Sequence, residues 1–229
     1  MKCRKALLGY VIFAIVLSAC GGQIKAKHTP PLEDIIAGRG MSDPLEHFEK
    51  PQDYRNLSDA IVYGEIADFE MIVSKSGFIH TLETIHVIET LHGDIEPGSD
   101  VQLMETGGYA LAKDILNVFS DELTRKVYRE NFMSYLSDEE IETKYIAEVP
   151  DGYYYPEIGR RAVYCLKEKE NREGIYRVTA GWMGTFREVE DGIFAKPSTD
   201  NSINNPERAA GFDGTITYEE LKEQILNAK

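Results

Sequence analysis

Two consecutive runs constrain this chain more than any other feature. Ala60 to Val73 (AIVYGEIADFEMIV) and Phe78 to Leu91 (FIHTLETIHVIETL) are both rich in β-branched and aromatic residues, and the turn Lys75-Ser76-Gly77 stands between them. Segments of that composition, bounded by turn residues, read as strands, and so short a link pairs them antiparallel. The cluster Asn56-Leu57-Ser58-Asp59 introduces the first run, and Gly64 inside it marks a bulge where a long strand can bend. After the turn-dense Gly93 to Ser99, a third strand is expected at Val101 to Thr106, which makes an antiparallel meander.

Further strands are expected at Arg161–Lys167, Ile175–Ala180, Gly184–Val189 and Ile193–Ala195, separated by Gly, Asn or Asp turns. Between the two groups, residues 109–150 read as a helical or irregular insertion. Leu111, Ile115, Phe119 and Leu123 recur every fourth residue there, and Ser137-Asp138-Glu139-Glu140 has the form of a capping box. The tail TYEELKEQIL reads as a helix in which Thr217 and Glu220 form a second capping box and Leu221 and Ile225 share a face. Leu32 to Tyr54, interrupted by Gly38, Gly40, Pro44 and Pro51, reads as short helical turns on the outside of the domain. The fold class expected is mainly β (α+β), as one domain over residues 32–229.

The N-terminus is organised differently. Lys2, Arg4 and Lys5 precede an apolar run from Ala6 to Leu17, and the small residues Ser18 and Ala19 follow, which is the layout of a secretory signal. The run is well short of the ~20 residues that cross a bilayer as a helix. The sequence Leu17-Ser18-Ala19-Cys20 resembles the lipobox of bacterial lipoproteins. That resemblance implies a signal peptide over 1–19, diacylglycerol on the Cys20 thiol, and a mature chain held at the extracytoplasmic face of the membrane. Residues 20–31 then read as a polar tether, reaching roughly 20 Å as a flexible chain of about a dozen residues.

Charge and cysteine count narrow the partners. The formal net charge is −14, with 39 acidic residues against 25 basic ones, so a phosphate backbone is repelled and nucleic acid is not expected as a partner. With Cys3 in the signal and Cys20 acylated, Cys165 is left alone in the apolar stretch RAVYCLK, where it reads as a buried core residue.

The series IVYGEIADFE, ETIHVIETLHGDIEPGSDV, METGGY, YPEIGRRAVYCLK and YRVTAGWMGTFREVEDG resembles a module of uncharacterised lipoproteins from Gram-positive bacteria. Its marks fall on Gly64, on Leu91-His92-Gly93-Asp94 with Pro97-Gly98, on Gly159, and on Gly184-Thr185-Phe186. The order of strands is also similar to the OB-like barrel of netrin modules and tissue inhibitors of metalloproteinases, which implies a small antiparallel barrel with a helical insertion and a C-terminal helix. The inhibitory mechanism of that family needs a free N-terminal cysteine amine and is not implied for a chain acylated at Cys20.

Candidate chemistry is sparse. No Gly-x-Ser-x-Gly, P-loop or dinucleotide fingerprint is present, and no cofactor is expected. Asp213 to Glu220 resembles the second half of an EF-hand loop, so Asp213 and Glu220 are candidate calcium ligands; the capping box accounts for Glu220 equally. His80, His86 and His92 share one face of an alternating strand but stand too far apart to bind one ion. The aromatic run Tyr153-Tyr154-Tyr155 and Trp182, near Arg160 and Arg161, fit either a lid over the barrel or a surface for sugar or peptide. Two functions from different classes follow: a non-enzymatic surface module binding a protein, peptide or wall component, and a wall hydrolase or metal-dependent helper with converging Asp, Glu or His.

Overall fold

The computed structural model describes residues 30–39, 51–149, 155–170, 172–195 and 215–227. The chain is mainly β. In order, it forms β1 (Ile35–Arg39), α1 (Pro51–Arg55), β2 (Ala60–Val73), β3 (Ile79–His92), β4 (Asp100–Thr106), β5 (Gly108–Leu111), α2 (Ala112–Asn117), α3 (Glu122–Phe132) and α4 (Asp138–Thr143). It continues through β6 (Tyr145–Val149), β7 (Arg161–Lys169), β8 (Arg172–Val178), β9 (Thr185–Glu190), β10 (Ile193–Ala195), β11 (Ile216–Thr217) and α5 (Tyr218–Leu226).

Strands β2 and β3 are the long antiparallel pair expected from their composition. Their register slips at Ile61/Val62, at Tyr63/Gly64 and between Ile66 and Asp68, so the expected bulge at Gly64 is present with a further irregularity on either side. At Gly64 a side chain has no room: a Cβ there would lie 2.6 Å from Cγ2 of Ile85 and 2.8 Å from the carbonyl oxygen of His86.

Eight strands form one sheet in the order β11-β10-β9-β7-β2-β3-β4-β8, with β7 also pairing β8. All the neighbours are antiparallel except β4 and β8, which pair parallel at Gln102↔Ile175 and Leu103↔Tyr176. One face of β2, β3, β4, β7 and β8 surrounds a core that includes Val62, Met71, Ile85, Leu103, Tyr164 and Leu166. The opposite face of β2, β7, β9 and β10 buries Ile61, Cys165, Phe186 and Phe194 against Leu221 and Ile225 of α5. Strand β7 is thus covered on both sides, which is why its stretch Ala162–Leu166 is apolar without alternation and buried throughout. Cys165 is fully buried there, as expected.

The insertion differs from its expected form. Residues 108–111 and 145–149 are strands, and with β1 they form a second sheet in the order β1-β6-β5. β1 runs parallel to β6 from Ile35↔Tyr145 to Arg39↔Val149, so the segment expected to form only helical turns supplies an edge strand. Strands of four or five residues whose partners lie 34 to 110 positions away leave too little local periodicity to read. The fourfold spacing from Leu111 to Leu123 is also divided, because the chain breaks between α2 and α3. Ile115 and Phe119 are buried, whereas Leu123 is 68% exposed. Both expected capping boxes are formed, Ser137 with Glu140 at α4 and Thr217 with Glu220 at α5.

Candidate functional site

Where β7 begins and β9 ends, the surface opens into a groove of about 420 Å³ lined by Glu157, Arg160, Arg161, Glu188 and Asp191 and by the aliphatic Ile158 and Val189. Local chain chemistry positions it. Gly159 takes φ +87°, a conformation glycine adopts without steric cost. That turn lets the Gly159 N–H donate to the Ile66 carbonyl at 2.9 Å, while the Ile66 N–H donates to the Arg160 carbonyl at 2.9 Å. The segment is therefore bonded to β2 at its Ile66–Asp68 bulge.

Of the charged groups at the groove, Glu157, Arg160, Arg161 and Glu188 are partnered. Arg160 donates through Nη2 to Glu157 Oε2 at 2.6 Å and through Nη1 to the Tyr155 carbonyl at 3.1 Å. Arg161 Nε donates to Glu65 Oε2 at 3.0 Å, which with the Tyr63 hydroxyl holds its guanidinium still more firmly charged. The Tyr63 hydroxyl donates to Glu188 Oε2 at 3.0 Å, and the Gly192 N–H donates to Glu188 Oε1 at 2.8 Å. Ile158 and Val189 are left 60% and 45% exposed between these pairs. Such a surface offers apolar contact flanked by oriented charge, which suits recognition of an extended chain better than bond making.

The sequence-expected residues fall in different places. Tyr155 is half-buried, with its ring 5.7 Å from that of Tyr109, and it packs on the core, as a lid would. Burial raises its hydroxyl pKa. Tyr153 and Tyr154 lie outside the described residues, as do Cys20 and Asp213. Trp182 sits in a short 3-10 turn, Gly181–Gly184, between β8 and β9. Glu220 accepts the Thr217 hydroxyl at 2.8 Å as a cap. Among the described residues, no group of three or more His, Cys, Asp or Glu is placed to hold a metal ion. His86 pairs with Asp100 at 2.9 Å on the outer face of β3.

One constellation escaped the sequence reading. Glu83 of β3 is only 4% exposed and points into the interior with Thr81 and Ile85, while Glu105 of β4 lies on the same side as Val101 and Leu103. Burial pushes Glu83 well above the usual carboxylate range; Glu105 adds to the rise, and Arg160 opposes it. Burial pushes Glu105 up to about 7, against the pull of Arg187. Tyr164, also buried, is raised by burial and by both acids. The signal was available in the alternation, since both acids stand at core-facing positions of strands otherwise apolar on that side. The pair can retain a proton at neutral pH, but neither acid lines the groove, and Arg160 is the one residue that both lines the groove and bears on Glu83.

No protein-family model matches this chain, and no curated protein matches it.

Proposed function

We propose that this chain is a lipid-anchored, extracytoplasmic binding module of a bacterial membrane, built on an OB-like barrel and acting without catalysis. The anchor is Cys20, placed directly after the apolar run by Leu17-Ser18-Ala19. The apolar run from Ala6 to Leu17 is too short to span a bilayer as a helix and leads directly into Ser18-Ala19-Cys20, so attachment through acyl chains is the reading that the N-terminal pattern favours. Support for the barrel comes from the pairing sequence β7-β2-β3-β4-β8 and back to β7, with β4 and β8 parallel. Small barrels of that kind commonly bind ligands on an open face.

The observation that carries the binding reading is the groove at Ile158 and Val189, where exposed aliphatic side chains lie beside the ion pairs Arg160–Glu157 and Arg161–Glu65. Its ligand would be a protein, peptide or wall component within reach of the tether. The alternative, a wall hydrolase or metal-dependent helper, draws on Glu83 and Glu105; the burial of Glu83 beside Tyr164 counts against its contact with a polymeric substrate.

Two experiments test the proposal. Cys20→Ala is expected to abolish labelling by a fatty-acid analogue, and continued labelling would overturn the anchor. Surface cross-linking on intact cells is expected to give a defined adduct that Ile158→Asp with Val189→Asp removes while the domain still unfolds cooperatively. An adduct unchanged by that pair of substitutions would overturn the groove as the binding site.

A further inference from the structure

Helix α3 reverses the usual arrangement of a surface helix, in which the apolar stripe faces the core and the charges face water. None of its residues is buried, and its inward side is held by arginines. Arg125 Nη2 donates to the Phe119 carbonyl at 2.9 Å, and Arg129 Nη2 donates to the Leu136 carbonyl at 2.7 Å and to Asp138 Oδ1 at 3.3 Å. On that side the Tyr128 ring also packs 4.7 Å from the ring of Phe119. Leu123 and Val127, one turn apart, stand on the opposite side and are exposed. Lys126 and Glu130 pair at 3.8 Å along one flank, so neutralised charge borders the aliphatic stripe.

Other exposed apolar side chains gather beside it. Phe132 ends the helix, Tyr135 follows in the next turn, and Phe78 stands at the tip of the β2–β3 hairpin. The tip abuts α3, since a Cβ on Gly77 would lie 3.0 Å from Cε2 of Tyr128. Five of the nine large apolar side chains that are exposed among the described residues therefore lie at one end of the fold, and a concentration of that kind marks an interaction surface.

The place of that end in the chain decides what covers it. The N-terminal segment enters the fold there: Asp34, directly before β1, accepts from Lys144 Nζ at 2.8 Å, and Lys144 directly follows α4. α4 has six residues, a length of about 9 Å, and its first residue is the Asp138 that Arg129 of α3 holds. Ile36 of β1 and Tyr128 of α3 also pack on one core cluster. A tether over residues 20–31, with its reach of roughly 20 Å, thus allows α3 to touch the bilayer that holds Cys20. A second copy fits the face less well, because a stable dimer takes about 20–30 residues a side and this face offers five apolar side chains set among charged ones.

We propose that the outward face of α3, Leu123 and Val127 with Phe132, Tyr135 and Phe78, rests on the surface of the bilayer and fixes the orientation of the domain. The proposal rests on the anchor read from Leu17 to Cys20, which supplies the attachment, while α3 sets the angle. An apolar helix face of this kind lies at the boundary between headgroups and acyl chains. Orientation has a consequence for the groove, which is bonded to β2 at Ile66. β2 continues from there to Val73 at the hairpin tip, seven residues or about 23 Å, so the groove is held about that far above the headgroups.

The test reconstitutes the acylated full chain in phosphatidylcholine vesicles and reads side-chain access by hydroxyl-radical footprinting. Phe132 and Tyr135, 63% and 59% exposed, are followed together with Ile158 of the groove, 60% exposed, in the same sample. Leu123→Asp with Val127→Asp, two changes at exposed positions that leave the core untouched, is the paired variant. Phe132 and Tyr135 are expected to oxidise several-fold less in the wild type than in the variant, with Ile158 the same in both. Equal oxidation of Phe132 and Tyr135 in the two proteins would overturn the proposal. So would protection that fades as the chain is diluted at constant lipid, which would assign the face to a second copy. Cys20→Ala keeps the apolar run from Ala6 to Leu17 and enters the same vesicles, so unchanged fatty-acid labelling of it would overturn the anchor while the footprint still reads α3.

Discussion

Glu83 and Glu105 occupy diagonal positions on the inward face of neighbouring strands: Glu83 is opposite Leu103, and Glu105 is opposite Thr81. Two carboxylates at that separation, in a core of Val, Leu and Ile, resist ionising together. Their folded pKa values exceed those of an unfolded chain, so the folded state holds protons that the unfolded state has released. Stability is therefore greatest below about pH 4.5 as far as this pair is concerned, and is lost as pH rises through about 7, the value for Glu105. His80, whose pKa is lowered, works in the opposite sense, gaining stability as pH rises toward its unfolded value. The two contributions separate in a comparison of Tm against pH: Glu105→Gln is expected to flatten the fall between pH 5 and 7.5 by an amount on the order of 1–3 kcal/mol. Parallel curves for wild type and variant would show that the pair does not share this burial.

Legibility followed contact distance along the chain. Strands β2 and β3 lie within a residue of their expected limits, because each is long, β-branched and paired to its sequence neighbour. Both capping boxes were readable for the same reason, since a cap acts over three residues. β1 was not, because its hydrogen bonds go to β6, about 110 residues later. The groove was half legible: Arg160, Arg161 and Tyr155 stood out by type, whereas Val189 comes from β9 and meets them only through the pairing of β7 with β9. Glu83 and Glu105 were hidden by an excess of acids in which only strand parity separates buried from exposed.

Close packing at the Gly64 bulge should make Gly64→Ala costly although its φ is not positive. The added methyl meets the Ile85 side chain and a backbone carbonyl, and the carbonyl cannot move without disturbing the ladder. Overpacking of this kind costs roughly 1–3 kcal/mol. For a chain of this size that lowers Tm by roughly 2–12 °C. Gly98→Ala is the contrasting case. Its φ is +83° but nothing lies within 4 Å, so only backbone strain, of about 1 kcal/mol, is expected. Thermal unfolding of the two variants separates crowding from strain, and equal losses would contradict the contacts around Gly64.

At the C-terminal helix, the cap and the calcium reading of Glu220 make opposite predictions. Thr217 accepts the Glu220 N–H at 3.3 Å, and Glu220 accepts from the Thr217 backbone N–H at 3.3 Å and hydroxyl at 2.8 Å. Thr217→Ala is expected to cost about 1 kcal/mol, the usual loss for a helix N-cap. Millimolar calcium is expected to leave Tm unchanged in wild type, whereas a ligand bound only to the folded state raises it with concentration. A calcium-dependent rise removed by Glu220→Gln would restore the ion site.

How α5 is held can be decided by magnitude. Its polar link runs through Glu89, which accepts the Tyr218 hydroxyl at 2.7 Å and pairs with Lys222; the Lys222 hydrogen bond is the main reason the Glu89 carboxyl lies below its ordinary pKa. Both charged partners keep roughly a third of their side-chain surface in water, so the ion pair is worth at most about 1 kcal/mol. Its apolar link is Leu221 and Ile225, both fully buried against Phe186 and Phe194. Truncating a buried leucine to alanine removes burial and leaves a cavity, a loss of about 2–5 kcal/mol. Leu221→Ala should therefore destabilise the domain several times more than Lys222→Ala, measured by denaturant midpoint at pH 7. If Lys222→Ala were the costlier change, the helix would be held by charge, and its midpoint would fall with added salt.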